Sequence, residues 1–261
     1  MGLRRARVGE ADMVPLEVCV DTLAGVGAAR RGGAARIELC AALSEGGLTP
    51  SAGLMAQAVR AAGAQVEVYA MIRPRAGLFD YGAEEMEVML ADLAAARAAG
   101  VSGVVLGVQR ADGALDTARL ARLKAAAGLL GTTLHRVIDV VPDPLAALDA
   151  ALGLGFDRVL TSGGANSAAQ GAAELRALVA RARGRIGIMA GGGVTPETLA
   201  VVLATGVDAV HASCAAPASG ARTFADFDPA GGRRVTEECR VRALVAALEA
   251  ARKSRNTEGA G

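Results

Sequence analysis

Residues 16–21 read LEVCVD and residues 36–40 read RIELC, two short runs in which apolar and polar side chains alternate. Leu16, Val18 and Val20 share one face of the first run, and Glu17, Cys19 and Asp21 share the other. In the second, Ile37 and Leu39 oppose Glu38 and Cys40. A period of two is the signature of a β-strand. Two strands that each aim a carboxylate and a thiol the same way call for apolar cover on one face and a polar interior on the other.

The pattern recurs along the chain. Short β-branched runs alternate with Ala-rich helical stretches eight times between Pro15 and about Ala250: LEVCVD, RIELC, VEVYAMIR, GVVLG, TTLHR, DRVLTS, RIGIMAG and AVHAS. The segments between them, such as AEEMEVMLADLAAARAAG, place apolar residues three and four apart, as amphipathic helices do. Eight βα units of roughly 30 residues predict a (β/α)₈ TIM barrel forming a single α/β domain over residues 14–252, with a doubly wound open sheet as the competing architecture. Residues 1–13 and 253–261 read as flexible tails, and residues 223–235 as a long loop after the eighth strand.

Composition narrows the function classes. Hydrophobic residues make up 52% of the 261-residue chain and aromatics only 2%, so the apolar content is largely Ala, Val and Leu. The most apolar window, TLAVVLATGVDAVHASCAAP, is interrupted by Asp208 and His211, short of the about 18 uninterrupted apolar residues of a membrane span. Basic residues near the start are followed by no apolar signal core. A soluble, cytosolic protein is expected. The net charge is +1, with 28 basic and 27 acidic residues scattered through the chain, which argues against a nucleic-acid footprint. The four cysteines then read as reduced thiols. Ala-rich outer helices leave room for a homo-oligomer, although no seam can be identified.

In such a barrel the outward faces of the strands are apolar because helices cover them, and the C-terminal strand ends form the pocket. Parity therefore points Glu17, Cys19, Glu38 and Cys40 into the barrel. It does the same for Tyr69, Met71, Arg73, Thr133, His135, Met189, His211 and Ser213, and leaves the sixth strand ambiguous. Both histidines of the chain fall inward, near strand ends. Two chemistries compete for this mouth. Cys19 and Cys40, taken as equivalent positions on strands about 5 Å apart, together with Met71 and Met189, offer soft ligands for Cu(I). Buried cysteine and methionine are otherwise ordinary packing residues.

The second chemistry uses nitrogen and oxygen. Glu17, Glu38, Arg73, Arg75, His135, Arg136, Asp139 and His211 could bind a small anionic molecule, with Glu38 and His135 as the acid–base pair. Equally, Glu17 and Glu38 read as structural ion-pair partners of Arg73 or Arg136. Gly191, Gly192 and Gly193 follow strand seven, and Thr195 and Pro196 then read as helix cap and first helical residue. That arrangement suits a phosphate or carboxylate, although glycines also serve simple turns. Lys124 and Lys253 are the only lysines, and neither falls at a strand end, so no Schiff-base nucleophile is available.

EVCVD, RIELC with LSEGGLTPS, MIRPR, HRVID, DRVLTSGG, IMAGGGV and VHAS occur in an order that resembles the CutC family of copper homeostasis proteins, from about Leu16 to Ser213. The resemblance implies the (β/α)₈ barrel and a copper site at Cys19 and Cys40. The chain departs from the family pattern at Ala76, Val137, Ile138, Ala190 and Cys214, positions that bear on the rim and leave both thiols in place.

Overall fold

A computed structural model describes residues 13–218 and 232–258, with side chains to residue 254. Eight parallel strands close into a barrel in sequence order: β1 (Leu16–Val20), β2 (Arg36–Leu39), β3 (Glu67–Met71), β4 (Gly103–Leu106), β5 (Gly131–Leu134), β6 (Arg158–Thr161), β7 (Gly187–Gly191) and β8 (Ala209–Ala212). β8 pairs back onto β1, so the open sheet is excluded. The intervening helices are α1 (Leu23–Gly32), α2 (Ala52–Ala62), α3 (Ala83–Ala99), α4 (Thr117–Ala127), α5 (Pro144–Gly153), α6 (Ala172–Ala182), α7 (Leu199–Leu203) and α8 (Glu238–Glu258). No helix among the described residues is long and apolar enough to cross a membrane.

Local chemistry sets many of the boundaries. Thr22, Ser51, Asp116 and Asp143 each accept a backbone N–H at a helix start, and Pro144 opens α5 where its missing N–H costs nothing. α1 ends at Gly33, whose φ of 92° a residue with a Cβ rarely adopts. The outward residues Val18, Ile37, Val68, Val104, Leu134, Val159, Ile188 and Val210 are buried with the helices in one continuous core. Burial of this apolar face drives assembly and leaves the interior face to carry the polar groups.

The interior is packed in its lower part. Tyr69 lies across the barrel, its ring 5.2 Å from the Arg36 guanidinium and 4.8 Å from that of Arg158. Room for it comes from the adjacent strands. A Cβ at Gly103 would stand 2.3 Å from the ring, and one at Gly131 only 2.0 Å from its hydroxyl. Leu160, Met189 and Ala209 form a separate buried cluster inside, which resolves the sixth strand with Leu160 inward.

Three boundaries differ from the sequence reading. The stretch from Thr195 to Thr198 is a turn in which Thr195 N–H donates to Thr198 Oγ1 at 3.0 Å, and α7 begins only at Leu199. β9 (Ala215–Pro217) and β10 (Arg234–Thr236) pair antiparallel after β8, so the end of the expected loop is a strand; residues 219–231 lie outside those described. α8 continues to Glu258, through the first part of the expected tail, and Ser254 Oγ donates to the Ala250 carbonyl along it at 3.2 Å. Most of the other expected tail, residues 1–12, is outside the described residues.

Candidate functional site

A cavity of about 830 Å³ opens at the C-terminal end of the strands. Cys19, Glu38, Arg73, His135, Arg136, Asp139, Gly192, Gly193, His211 and Ser213 line it, as do Leu43, Met71, Phe79 and Leu160. Beneath it lies a chain of buried charges. Glu17, fully buried at the start of β1, pairs with Arg36 through the guanidinium Nε, and its other oxygen contacts His211 Nδ1 at 2.9 Å. Strand register produces this arrangement, because Glu17 is flanked by Arg36 on one side and His211 on the other. Burial alone would raise the Glu17 pKa. The hydrogen bond to His211 and the charge of Arg36 outweigh it and bring the group down to about 2.

The opposite edge of the His211 ring faces the cavity. Its Nε2 is 3.7 Å from Glu38 Oε2, and it hydrogen-bonds Cys19. One donor atom from each of Cys19, Glu38 and His211 lies within 4.8 Å of the others. Burial would lower the His211 pKa, but Glu38, Cys19 and Glu17 hold it well above the ordinary histidine value, so the ring is a cation on the Glu17 carboxylate. Burial, augmented by Glu17, pushes the Glu38 carboxyl up.

Cys40 does not join this group. The register places Cys19 opposite Glu38, so Cys40 sits two residues further along and the two thiols do not occupy equivalent positions, contrary to the sequence expectation. Its thiol donates to Glu38 Oε2 at 3.6 Å, fully buried against Met71, Tyr69 and Val105. A Cβ on Gly47 would come within 2.9 Å of the Cys40 sulfur, so the loop after β2 seals it. Burial and then the Glu38 charge push this thiol well above its ordinary pKa.

The arginines are committed differently from the expected ion pairs. Glu17 takes Arg36 as its partner in place of Arg73 or Arg136. Arg36 has the same parity as Glu38, and that was the signal available in RIELC. Arg73 donates to the carbonyls of Glu45, Gly47 and Gly77 at 2.6, 3.1 and 3.0 Å, tying together the loops after β2 and β3. Arg75 lies away from the cavity, bound to Glu85 and to the Leu78 and Asp80 carbonyls, because the chain turns outward beyond β3. Arg136 donates to Asp139 at 2.7 Å and to Ser162 Oγ at 2.8 Å.

Asp139 in turn fills the loop after β6, accepting the N–H groups of Ser162 and Gly164 at about 3 Å and the Thr161 hydroxyl at 2.5 Å. His135 stacks on Phe79 with ring centroids 4.6 Å apart, and its Nδ1 accepts the Val137 N–H at 3.1 Å. Burial, together with the Arg73 charge, lowers its pKa to about 3, so the ring is neutral. Gly191 packs beneath the cavity, where a Cβ would meet Leu160 at 2.6 Å, while Gly192 and Gly193 reach the rim with φ of 99° and 67°. Glu38 has His211 as a close neighbour, a contact that the sequence reading did not pair with it.

The CutC family profile matches residues 14–216. The chain belongs to the CutC family. A CutC family protein of Sinorhizobium medicae is 51% identical over 90% of this chain and 96% of its own length. The human copper homeostasis protein cutC homolog is 41% identical over 92% of this chain and 93% of its own. A CutC crystal structure from Streptococcus agalactiae superposes with a TM-score of 0.74 at 33% identity, covering 77% of this chain and 99% of that one. A KDPGal structure, at 17% identity and a TM-score of 0.61, shows the likeness of the barrel fold alone.

Proposed function

We propose that this CutC protein serves copper homeostasis in the cytosol by binding Cu(I) as cargo, with Cys19 Sγ and His211 Nε2 as ligands and Glu38 beside them. The observation that carries the reading is the group of Cys19, Glu38 and His211 donor atoms within 4.8 Å of one another at the barrel mouth. A soft thiolate with an imidazole suits Cu(I). The Glu17 carboxylate on His211 Nδ1 is the outer contact that orients a metal-binding imidazole and leaves Nε2 to the metal. Cu(I) would replace the protons on the thiol and on Nε2, so its affinity should rise with pH. None of the four cysteines is in a disulfide, and a cytosolic location would keep them as thiols. Cys40, hydrogen-bonded to Glu38, supports that carboxylate from behind.

The test is an oxygen-free competition titration against a chromogenic Cu(I) chelator. Wild type should bind one equivalent, Cys19→Ser should lose it, His211→Asn should weaken it by about tenfold or more, and Cys40→Ser should stay close to wild type. Equal loss in Cys19→Ser and Cys40→Ser would establish a two-thiol site instead. Absence of tight binding by wild type would end the copper reading.

A further inference from the structure

The cavity is far larger than a single ion requires, and its polar lining has a direction. At about 830 Å³ it has the size of a pocket for a small organic molecule. Two polar atoms deep in it have no protein partner: His135 Nε2 and Glu38 Oε1, on residues that are each 3% exposed. Because His135 Nδ1 accepts the Val137 N–H, the proton of the neutral ring sits on Nε2, a buried donor without a partner on a residue that lines the cavity. Buried polar groups are normally paired, so an unpartnered donor and acceptor in one pocket mark where a ligand makes its contacts.

Nearer solvent the lining carries the Arg136 guanidinium, paired with Asp139. Asp139 and Ser162 engage Nε and Nη2 of Arg136, while Nη1 lies beside Gly192, 3.8 Å from where a Cβ would stand. Gly192 and Gly193 present bare backbone there. Leu43, Met71, Phe79 and Leu160 supply apolar walls between the two regions. We infer that the cavity binds a small organic anion, its carboxylate or phosphate held at Arg136 and Gly192–Gly193 and a hydroxyl group accepting from His135 Nε2 and donating to Glu38 Oε1. The site shares Glu38 with the proposed copper group but uses neither Cys19 nor His211, so it can be tested with the metal absent.

Two histidines in the whole chain make the test direct. Metal-free protein labelled with ¹⁵N-histidine is titrated in chelator with glycerol 3-phosphate, with lactate and with inorganic phosphate. Glycerol 3-phosphate or lactate, each carrying a hydroxyl and one kind of anionic group, should shift the His135 Nε2 resonance saturably, and whichever binds more tightly identifies the anionic group. Arg136→Gln should weaken that binding by about tenfold or more with the His211 resonance in place, as expected for loss of a charged hydrogen bond. His135→Asn, followed by calorimetry, should weaken it independently. No saturable shift from either organic probe up to about 50 mM, a response to inorganic phosphate alone, or unchanged affinity in both variants would overturn the inference. Because no metal is present, the outcome is independent of the copper titration.

Discussion

Acidification should destabilise the protein through His135 by an amount that can be worked out in advance. The ring is neutral when folded because burial and the Arg73 charge bring its pKa down to about 3 from an ordinary 6.5. Below 6.5 the unfolded chain takes up a proton that the folded chain refuses. This contribution is therefore complete above pH 6.5 and is lost as pH falls toward about 3. At pH 4.5, about two units below the unfolded value, the loss is about 3 kcal/mol. His211 and Glu38, both raised in the folded state, work in the opposite sense, favouring the folded state as pH falls, and are common to wild type and His135→Asn.

The comparison that isolates His135 is wild type against His135→Asn, since Asn keeps an acceptor for the Val137 N–H but does not titrate. Urea unfolding followed by circular dichroism at pH 7 and pH 4.5 reads the difference. At pH 7 the variant should be the less stable, having lost the ring packed on Phe79. At pH 4.5 the gap should have moved by about 3 kcal/mol in favour of the variant. Stability curves that stay parallel, within about 0.5 kcal/mol, would refute a neutral buried His135.

Two further outcomes are expected beneath the cavity. Glu17→Gln leaves the charges of Arg36 and His211 without their shared carboxylate and should cost about 3–5 kcal/mol in denaturant unfolding; a cost under about 1 kcal/mol would contradict the buried pairing. Gly131→Ala should destabilise by about 1–3 kcal/mol because its Cβ would stand 2.0 Å from the Tyr69 hydroxyl, and Tyr69→Leu in the same chain should recover part of the loss; an unaffected Tm in the single variant would contradict that packing.

Parity read from LEVCVD and RIELC correctly separates the apolar outer face from the polar inner one, and eight such runs suffice for the barrel. Parity says nothing of register. A strand face is decided by local alternation, whereas the residue opposite Cys19 is decided by how far one strand is displaced along the next, a property of the closed sheet. Hence Glu38, not Cys40, stands opposite Cys19, and His211 becomes the close neighbour of Glu38. Arg36 shares the parity of Glu38, but only the register brings it opposite Glu17. The roles of Arg73 and Arg75 depend on loop paths that carry no periodic signal, and the late start of α7 reflects a Thr195–Thr198 turn satisfying its own N–H. For the same reason Asp139, read as a ligand-facing acid, is seen only in three dimensions to occupy the amides of the TSGG loop.

The Glu17–His211 contact joins the first strand to the last, 194 residues apart in the chain. Until β8 docks against β1, the thiol and carboxylate of the mouth have no imidazole beside them, and Glu17 has only half its partners. The mouth is thus assembled at the seam where the cylinder shuts, so its three donors come together only on closure. A nascent or truncated chain lacking the final strand exposes Cys19 and Glu38 without the third donor, and the finished site appears only in a molecule whose fold is already closed.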